Sequence, residues 1–566
     1  MNRQFTTLIA DLGQFNSNEL VKFSSKFLRG NIDQGLKNPV TGGMPADDPL
    51  LLKFHGIYQQ DNRDFRAQRQ ERLLEPNYQF MVRLRIPGGL LSKQQWIGLD
   101  AISRKYSDRG IRITTRQTIQ LHGVRKRNLK ACMQALKRIG IDTVAACGDD
   151  SRGVVCGGNP MISRISREVQ EIAKRTSNRL IPRTSAYEEI WYGESKSLHS
   201  ANEEPIYGPL YLPRKFKVGF AIPPTNDIDV YGQDVGFIAV VRKERLIGFN
   251  LCVGGGMGQV DTRDDSYPRL AQEIGFIKPD EAPEVAEIIM EIQRDHGDRK
   301  DRHQARFKYT LDRLGLSWFL NVLQERRGKP LLAPYPINFT RNSDDIGWQR
   351  GDDGLWQCTL HIESGRITGA LQDQLAGLYQ QYGGFIRLTT NQNLQLTHIH
   401  DYELPQLKTR LDDLGLAVLT EPDLQSANTL TCVALPTCGL AMAEAERYVP
   451  SFLPKFNQVK SSHGLSGLPI TLRITGCPNG CARPYIAEIA LTGRAPGLYN
   501  LYLGGSHTGN RLAKLYASNV NEVKILELLS DLMKRYKTLA HQNERFGDFL
   551  VRTTLLEDMS ELIENQ

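Results

Sequence analysis

The sequence predicts an α+β fold made from a duplicated chain whose two halves are related by a pseudo-twofold axis. Arg112–Leu121 reads RITTRQTIQL and Arg387–Leu396 reads RLTTNQNLQL, with six of ten positions identical and two more exchanging Ile for Leu. Upstream of each copy, LRIPGG (84–89) matches LHIESG (360–365) at nearly the same spacing. A helical stretch separates the matched segments, Gln94–Tyr106 in the first copy and Gln372–Tyr382 in the second. Each copy therefore runs strand, glycine turn, helix, strand. A chain of 566 residues exceeds a single core and calls for two to four modules.

Taken in order, residues 1–50 are rich in Asn, Gly, Ser and Lys and read as a loosely packed arm. The chain start shows no basic stretch leading into an apolar run, and no segment approaches the ~20 apolar residues of a membrane span. An odd count of nine cysteines in a large chain argues against a disulfide framework and for reduced thiols in the cytoplasm. The net charge of +8 is mild, but its distribution is uneven. Ala101–Lys130 holds nine Lys or Arg against one acid, Asp108. Arg112 and Arg116 fall inside IRITTRQTIQLHG, read as one strand, and arginines on a core strand point to a bound polyanion.

Further cations line up nearby. Arg83 and Arg85 share a face at period two, Arg152 sits in the loop CGDDSRGVVCGGNP, and YLPRKFK brings together Arg214, Lys215 and Lys217. VGGGMG (253–258) is followed by a poor opening for a phosphate-binding helix, so it reads as a structural or cofactor-contacting turn. In the second copy Arg116 and Thr118 become Asn391 and Asn393. One half is built to grip an anion; the other carries a different chemistry.

That chemistry is four cysteines in two short loops, Cys432 and Cys438 in TCVALPTC, Cys477 and Cys481 in GCPNGC. Four converging thiolates are the ligand set of an iron–sulfur cluster or a structural zinc site. Their spacings match neither a zinc knuckle nor the common ferredoxin runs. After Cys438, LAMAEAERY reads as a helix stopped by Pro450, which would set Cys438 at a positive dipole end. Cys132, Cys147, Cys156, Cys252 and Cys358 read as small buried apolar side chains. A zinc-stabilised RNA-binding protein would use basic runs such as Arg125–Arg127, but leaves the second copy's loss of cations unexplained. A cluster-bearing scaffold or radical enzyme would share the cysteines and lack a tetrapyrrole.

TCVALPTCGLAMAEAERY and TGCPNGCARPYIAEIALTGRAPGLYNLYLGG closely resemble the sirohaem-containing sulfite and nitrite reductases. KFHGIYQQDNRD, LRIPGG, TTRQTIQLHG, LPRTSAYEEIW, YLPRKFKVGFAIPPTNDID and FGDF extend the likeness over nearly all of the chain after about residue 50. The resemblance implies paired ferredoxin-like halves at 72–145 and 347–417, larger α/β modules at 146–346 and 418–566 enclosing the cofactors, and an N-terminal arm at 1–71 that binds a partner. It implies that the four cysteines hold a [4Fe–4S] cluster and that Cys481 also ligates the sirohaem iron. Arg112, Arg116, Arg214, Arg306 and Lys308 would meet sirohaem carboxylates, with Asn479 in the cofactor loop, while Arg83, Arg152, Lys215 and Lys217 would surround sulfite. The nitrite-using branch usually has Asn in place of Lys217, so sulfite is the expected substrate. The family's usual Asn beside the pocket arginine is missing, since Ser151 and Gly153 flank Arg152. The implied activity is six-electron reduction of sulfite to sulfide for cysteine biosynthesis. Electrons would come from NADPH through a separate flavoprotein (alpha) subunit carrying FAD and FMN, with no role for nucleic acid or membrane.

Overall fold

The computed structural model describes residues 12–556 apart from 109, 160–161, 195–202 and 261. Among the described residues the chain supplies twenty strands in four runs of five. The first run is β1 (Ile57–Asp61), β2 (Tyr78–Arg83), β3 (Leu90–Leu91), β4 (Ile111–Ile113) and β5 (Ile119–Val124). The second is β6 (Val155–Cys156), β7 (Val218–Ala221), β8 (Val235–Arg242), β9 (Arg245–Val253) and β10 (Gln272–Ile277). The third is β11 (Gly347–Arg350), β12 (Trp356–Leu360), β13 (Arg366–Ile367), β14 (Phe385–Leu388) and β15 (Leu394–Ile399). The fourth is β16 (Thr429–Thr431), β17 (Leu472–Thr475), β18 (Ile489–Ala495), β19 (Leu498–Leu503) and β20 (Lys514–Val520).

The two repeats form sheets ordered β1-β2-β5-β4-β13 and β11-β12-β15-β14-β3, so each copy lends a two-residue strand to the other. Arg366 and Ile367 pair with Arg112 and Ile111, and Leu90 and Leu91 pair with Arg387 and Ile386. The repeated glycine turn makes this exchange possible. Gly89 is left-handed (φ 76°), and a Cβ there would stand 2.5 Å from Leu388 O of the other copy. The predicted helices appear at Lys93–Tyr106, opened by a Ser92/Gln95 capping box, and at Gly369–Gln381.

The segment read as one strand through Arg112 and Arg116 is instead a hairpin. β4 and β5 run antiparallel, Thr114 N donates to Thr118 O at 2.8 Å, and Gln117 takes φ 50°. Both arms keep period-two alternation, so the pattern hides the reversal. Arg116 thus projects from a tight turn. The second copy repeats the turn, with Gln392 at φ 68°.

The larger modules are duplicated as well. In one, β6, β7 and β8 are parallel and β9 and β10 follow antiparallel; β16–β20 repeat this order. Buried Asp234 ahead of β8 receives Arg306 at 2.9 Å, and buried Glu488 ahead of β18 receives Arg545 at 2.6 Å. Asp229 and Arg483 occupy matching left-handed positions (φ 50° and 53°) and pair with each other. Thr115 Oγ1 donates to Cys481 O at 2.9 Å, as Thr390 Oγ1 donates to Asp227 O.

Two further expectations need correction. No α-helix follows Cys438 directly; Gly439–Ala445 is turn and bend, Glu446–Tyr448 is one 3-10 turn, and an α-helix runs from Val449 to Ser462 with Pro450 in its first turn. Proline lacks only an N–H that the first turn leaves unused, so it opens this helix rather than stopping one. The arm is not loose from residue 12 onward. Ile32 and Leu52 are fully buried, and Glu19 and Lys22 form a buried ion pair. Residues 1–11 lie outside the described set. No described helix is long and apolar enough to cross a membrane.

Candidate cofactor and anion site

The two cysteine loops are held against each other by backbone bonds. Met442 N and Ala443 N, on the turn after Cys438, donate to Gly476 O at 2.7 and 3.1 Å. Gly476 has no room for a side chain; a Cβ there would stand 2.5 Å from Ala434 Cβ and 2.6 Å from Ala443 O. From the N-terminal segment, Arg63 Nη1 donates to Ala441 O at 2.6 Å and to Cys438 O at 3.3 Å.

Donors also face the sulfurs. Cys432 Sγ accepts from Gly476 N at 3.3 Å and Thr475 Oγ1 at 3.5 Å, and Asn479 Nδ2 donates to Cys477 Sγ at 3.6 Å. Burial first, and then neighbouring Cys481, pushes the Cys432 and Cys477 thiols up to about 12 and raises Cys438 too. Metal would displace these protons. All nine cysteines are free. Among the described residues no three His, Cys, Asp or Glu stand close enough for a single ion. Four thiols in two tied loops, with N–H and O–H donors turned toward two of the sulfurs, fit the ligand set of an iron–sulfur cluster.

Cys477 is buried and Cys481 is exposed, two turns of the same tight loop facing different ways. Gln259 N donates to Pro478 O at 3.1 Å, so the glycine loop 253–258 leads directly onto the cysteine loop. Lys308 Nζ donates to Gly256 O and Gly258 O at 3.2 and 2.8 Å and to Tyr267 O. Burial, then Arg306, lowers that ammonium to about 6. Lys308 therefore fastens the glycine loop.

The loop carrying Arg152 is stitched to the segment carrying the lysines. Arg152 N donates to Phe216 O at 2.8 Å and Phe216 N to Asp150 O at 2.9 Å. Phe216 turns into the core, which leaves Lys215 and Lys217 together on the other side. Their ammonium groups have no hydrogen-bond or ion-pair partner among the described residues. Burial, then Arg214 and Arg306, brings Lys215 down to about 7, while nearby Cys481 pulls the other way. Lys217 is lowered well below its usual range by burial, Lys215 and Arg116.

Arg116, from the hairpin tip, donates to Gln233 Oε1 at 2.9 Å and Gly153 O at 2.8 Å, so Gly153 is engaged where the family's Asn is missing. Its Nε is buried without a partner, and burial, then Arg152 and Arg483, lowers it to about 9. Arg306 Nε is likewise buried and unpartnered. Arg214 stands 3.8 Å from Asp149 and is lowered to about 10 by burial and Arg302. Arg83 lies over the Tyr58 ring at 5.9 Å and meets the Gln120 amide oxygen at 3.2 Å once that amide is turned to face it.

Arg83, Arg116, Arg152, Arg214, Lys215, Lys217 and Arg306 thus form one cationic cup beside Cys481, with too few acids to neutralise it. Arg306 has Asp234, Arg214 has Asp149 and Arg152 has Asp150 nearby, which leaves half-buried Lys215 and Lys217 as the cations an anion would stabilise. The cup fits a polycarboxylate with a small anion. Arg112 stands apart: it pairs with Glu446 at 2.8 Å, as Arg366 does at 2.7 Å, near Cys432. Arg85 is likewise committed, to Asp142.

Several contributors escape the sequence reading. Arg483 pairs with Asp229 and donates to Thr115 O at 2.8 Å and Thr390 O at 3.4 Å, tying the Cys481 loop to both repeats. Its only sequence signal is its place two residues after Cys481. Tyr58 and Gln120 lie inside segments that carry the family likeness, but nothing in those segments singles them out as neighbours of Arg83.

The chain belongs to the nitrite and sulfite reductase family. The model described as "Nitrite/Sulfite reductase ferredoxin-like half domain" matches residues 73–139 and 349–414, and "Nitrite and sulphite reductase 4Fe-4S domain" matches 172–331. The second match covers the module without the four cysteines, which lie in its symmetry mate. Among relatives, proteins named sulfite reductase [NADPH] hemoprotein beta-component share 47% identity in Nitrobacter hamburgensis (97% of this chain, 96% of that one) and 46% in Nitrosomonas europaea with the same coverage. The Staphylococcus epidermidis protein of that name is 47% identical over 94% of each chain. The solved structure of the NirA protein of Mycobacterium tuberculosis superposes with a TM-score of 0.77 at 25% identity, covering 95% of this chain and 96% of that one.

Proposed function

We propose that this chain catalyses the six-electron reduction of sulfite to sulfide, as the hemoprotein component of a NADPH-dependent assimilatory sulfite reductase in the cytoplasm. The observation that carries this reading is the cup of unneutralised cations placed beside the one exposed cysteine of a four-thiol set. The same name recurs in relatives covering almost the whole chain. Cys432, Cys438, Cys477 and Cys481 would hold a [4Fe–4S] cluster, Cys481 would also ligate sirohaem iron, and Arg116, Arg214 and Arg306 would meet the sirohaem carboxylates. When bound, the paired centres supply electron storage beside the reacting sulfur.

The protein's own part is electrostatic and protonic. Arg83, Arg152, Lys215 and Lys217 would close on the sulfite dianion. A cation ~4 Å from one unit of charge contributes about 4 kcal/mol at an effective dielectric of about 20, before desolvation. Three oxygens leave as water, and every one needs protons. Lys215, whose ammonium burial and its cationic neighbours make more acidic than an exposed lysine's, would hold a proton against the bound anion and give it to a departing oxygen. Electrons would come from a separate flavoprotein subunit carrying FAD and FMN.

The test is purified, loaded protein given reduced methyl viologen and sulfite. Sulfide production together with a chlorin-type visible band supports the reading. A colourless protein holding zinc alone contradicts it.

A further inference from the structure

The segment that carries Arg214, Lys215 and Lys217 is anchored by a helix far from it in sequence. Helix Ser17–Ser24, capped by Asn16, inserts Glu19 and Lys22 fully into the interior. Lys22 Nζ donates to Glu19 Oε1 at 2.6 Å and to Leu212 O at 2.7 Å, and stands 3.8 Å from Asp149 Oδ2. Arg299 pairs with the other Glu19 oxygen and donates to Tyr211 O at 2.7 Å. Asn16 closes the loop by donating to Arg299 O through its side chain at 2.7 Å.

Asp149 is the second branch. Its backbone oxygen accepts from Leu212 N at 3.0 Å, and its carboxylate receives Arg302 at 2.8 and 3.1 Å and stands 3.8 Å from Arg214. Burial would raise this carboxyl, yet Arg302, Lys22 and Arg214 hold it well below the usual range, so it stays charged. Three grips on the 211–212 backbone and one on the Arg214 guanidinium thus converge immediately before the cationic cup. Buried charges are costly unless paired, and the partners that offset the burial of Glu19 and Lys22 lie on Asp149, Arg299 and the 211–212 segment, so the helix is fixed to that segment.

We propose that Lys22 and Glu19, acting with Arg299 through Asp149 and the 211–212 backbone, are positioning residues of the anion cup. The N-terminal helix is then part of the sulfite site. This rests on the functional reading above.

The test uses the full-length, cofactor-loaded protein with reduced methyl viologen, which bypasses any partner subunit. In Lys22→Met the sulfite KM should rise about tenfold while kcat stays within about threefold of wild type. Amide exchange across 211–217 should quicken about tenfold, in loaded and cofactor-free protein alike, with 472–503 unchanged. Glu19→Gln, which keeps shape and removes charge, decides the kinetic arm if Lys22→Met fails to load. A loaded variant with KM within about twofold of wild type overturns the proposal, even if exchange quickens, because the network is then only structural. Unchanged exchange at 211–217 also overturns it. If wild type reduces no sulfite, the functional reading falls, while the exchange arm still decides whether the helix positions this segment.

Discussion

Replacing Arg483 with Met should loosen the loop that carries Cys481. Asp229 is fully buried between Arg473, at 2.8 Å, and Arg483. Removing one partner of a buried pair costs about 3–5 kcal/mol, and the surviving Arg473 puts this case at the lower end. Thr115 O and Thr390 O also lose a charged donor, about 1 kcal/mol or more between them after exchange with water. The sum is about 4 kcal/mol, or a several-hundredfold rise in local opening at ~1.4 kcal/mol per decade. Hydrogen exchange of amides 472–490 reads that opening directly, and the iron-to-protein ratio after gel filtration reads its consequence. A second substitution, Asp229→Leu, added to Arg483→Met should deepen the loss rather than recover it, because it leaves Arg473 buried without its carboxylate. Exchange and iron content within error of wild type in Arg483→Met would refute the reasoning.

Other perturbations probe the cup and the loops. Lys217→Ala should cut sulfite turnover at least about tenfold with prosthetic-group content preserved; equal losses would mark the residue as structural. Gly476→Ala should lower cluster content and stability by about 1–3 kcal/mol, since its Cβ meets Ala434 and Ala443 O, and a fully loaded variant of wild-type stability would contradict the packing. In cofactor-free protein, Lys215 at about 7 is mostly neutral at pH 8, and a dianion beside it raises its pKa. Calorimetry of sulfate binding in buffers of different ionisation enthalpy should therefore show proton uptake at pH 8. The difference between wild type and Lys215→Met should be on the order of one proton there and much smaller at pH 6, where Lys215 is already charged. No difference at pH 8 would contradict this. The isolated chain should not oxidise NADPH by itself, and measurable oxidation would overturn the two-component view.

The repeat was legible because the exchanged edge strands need the same glycine turn and the same Thr-Thr hairpin in both copies. The two cysteine loops were legible as tight turns because Gly, Pro and Asn crowd around the thiols, and the cation-bearing segment because Lys215 and Lys217 alternate with a buried Phe216. What stayed hidden depends on non-local pairing. The hairpin at Arg116 preserves period two on both arms, so alternation cannot report the turn. Duplication of the larger modules survives in paired functions such as Arg306–Asp234 and Arg545–Glu488, with acid and base kept but surrounding residues changed. Arg112 looked like an anion ligand by composition, yet the structure pairs it with Glu446, which lies more than three hundred residues away. The polar arm concealed its buried Glu19 and Lys22 for the same reason: their partners, Asp149 and Arg299, come from distant segments.

In the proposed holoenzyme the Cys481 sulfur is shared between the cluster and the tetrapyrrole iron. Mössbauer spectroscopy of iron-57-enriched, fully loaded protein addresses it most directly. The account predicts one exchange-coupled set of irons in wild type and loss of that coupling in Cys481→Ser. Independent cluster and haem signals in wild type, or coupling that survives in Cys481→Ser, would contradict it.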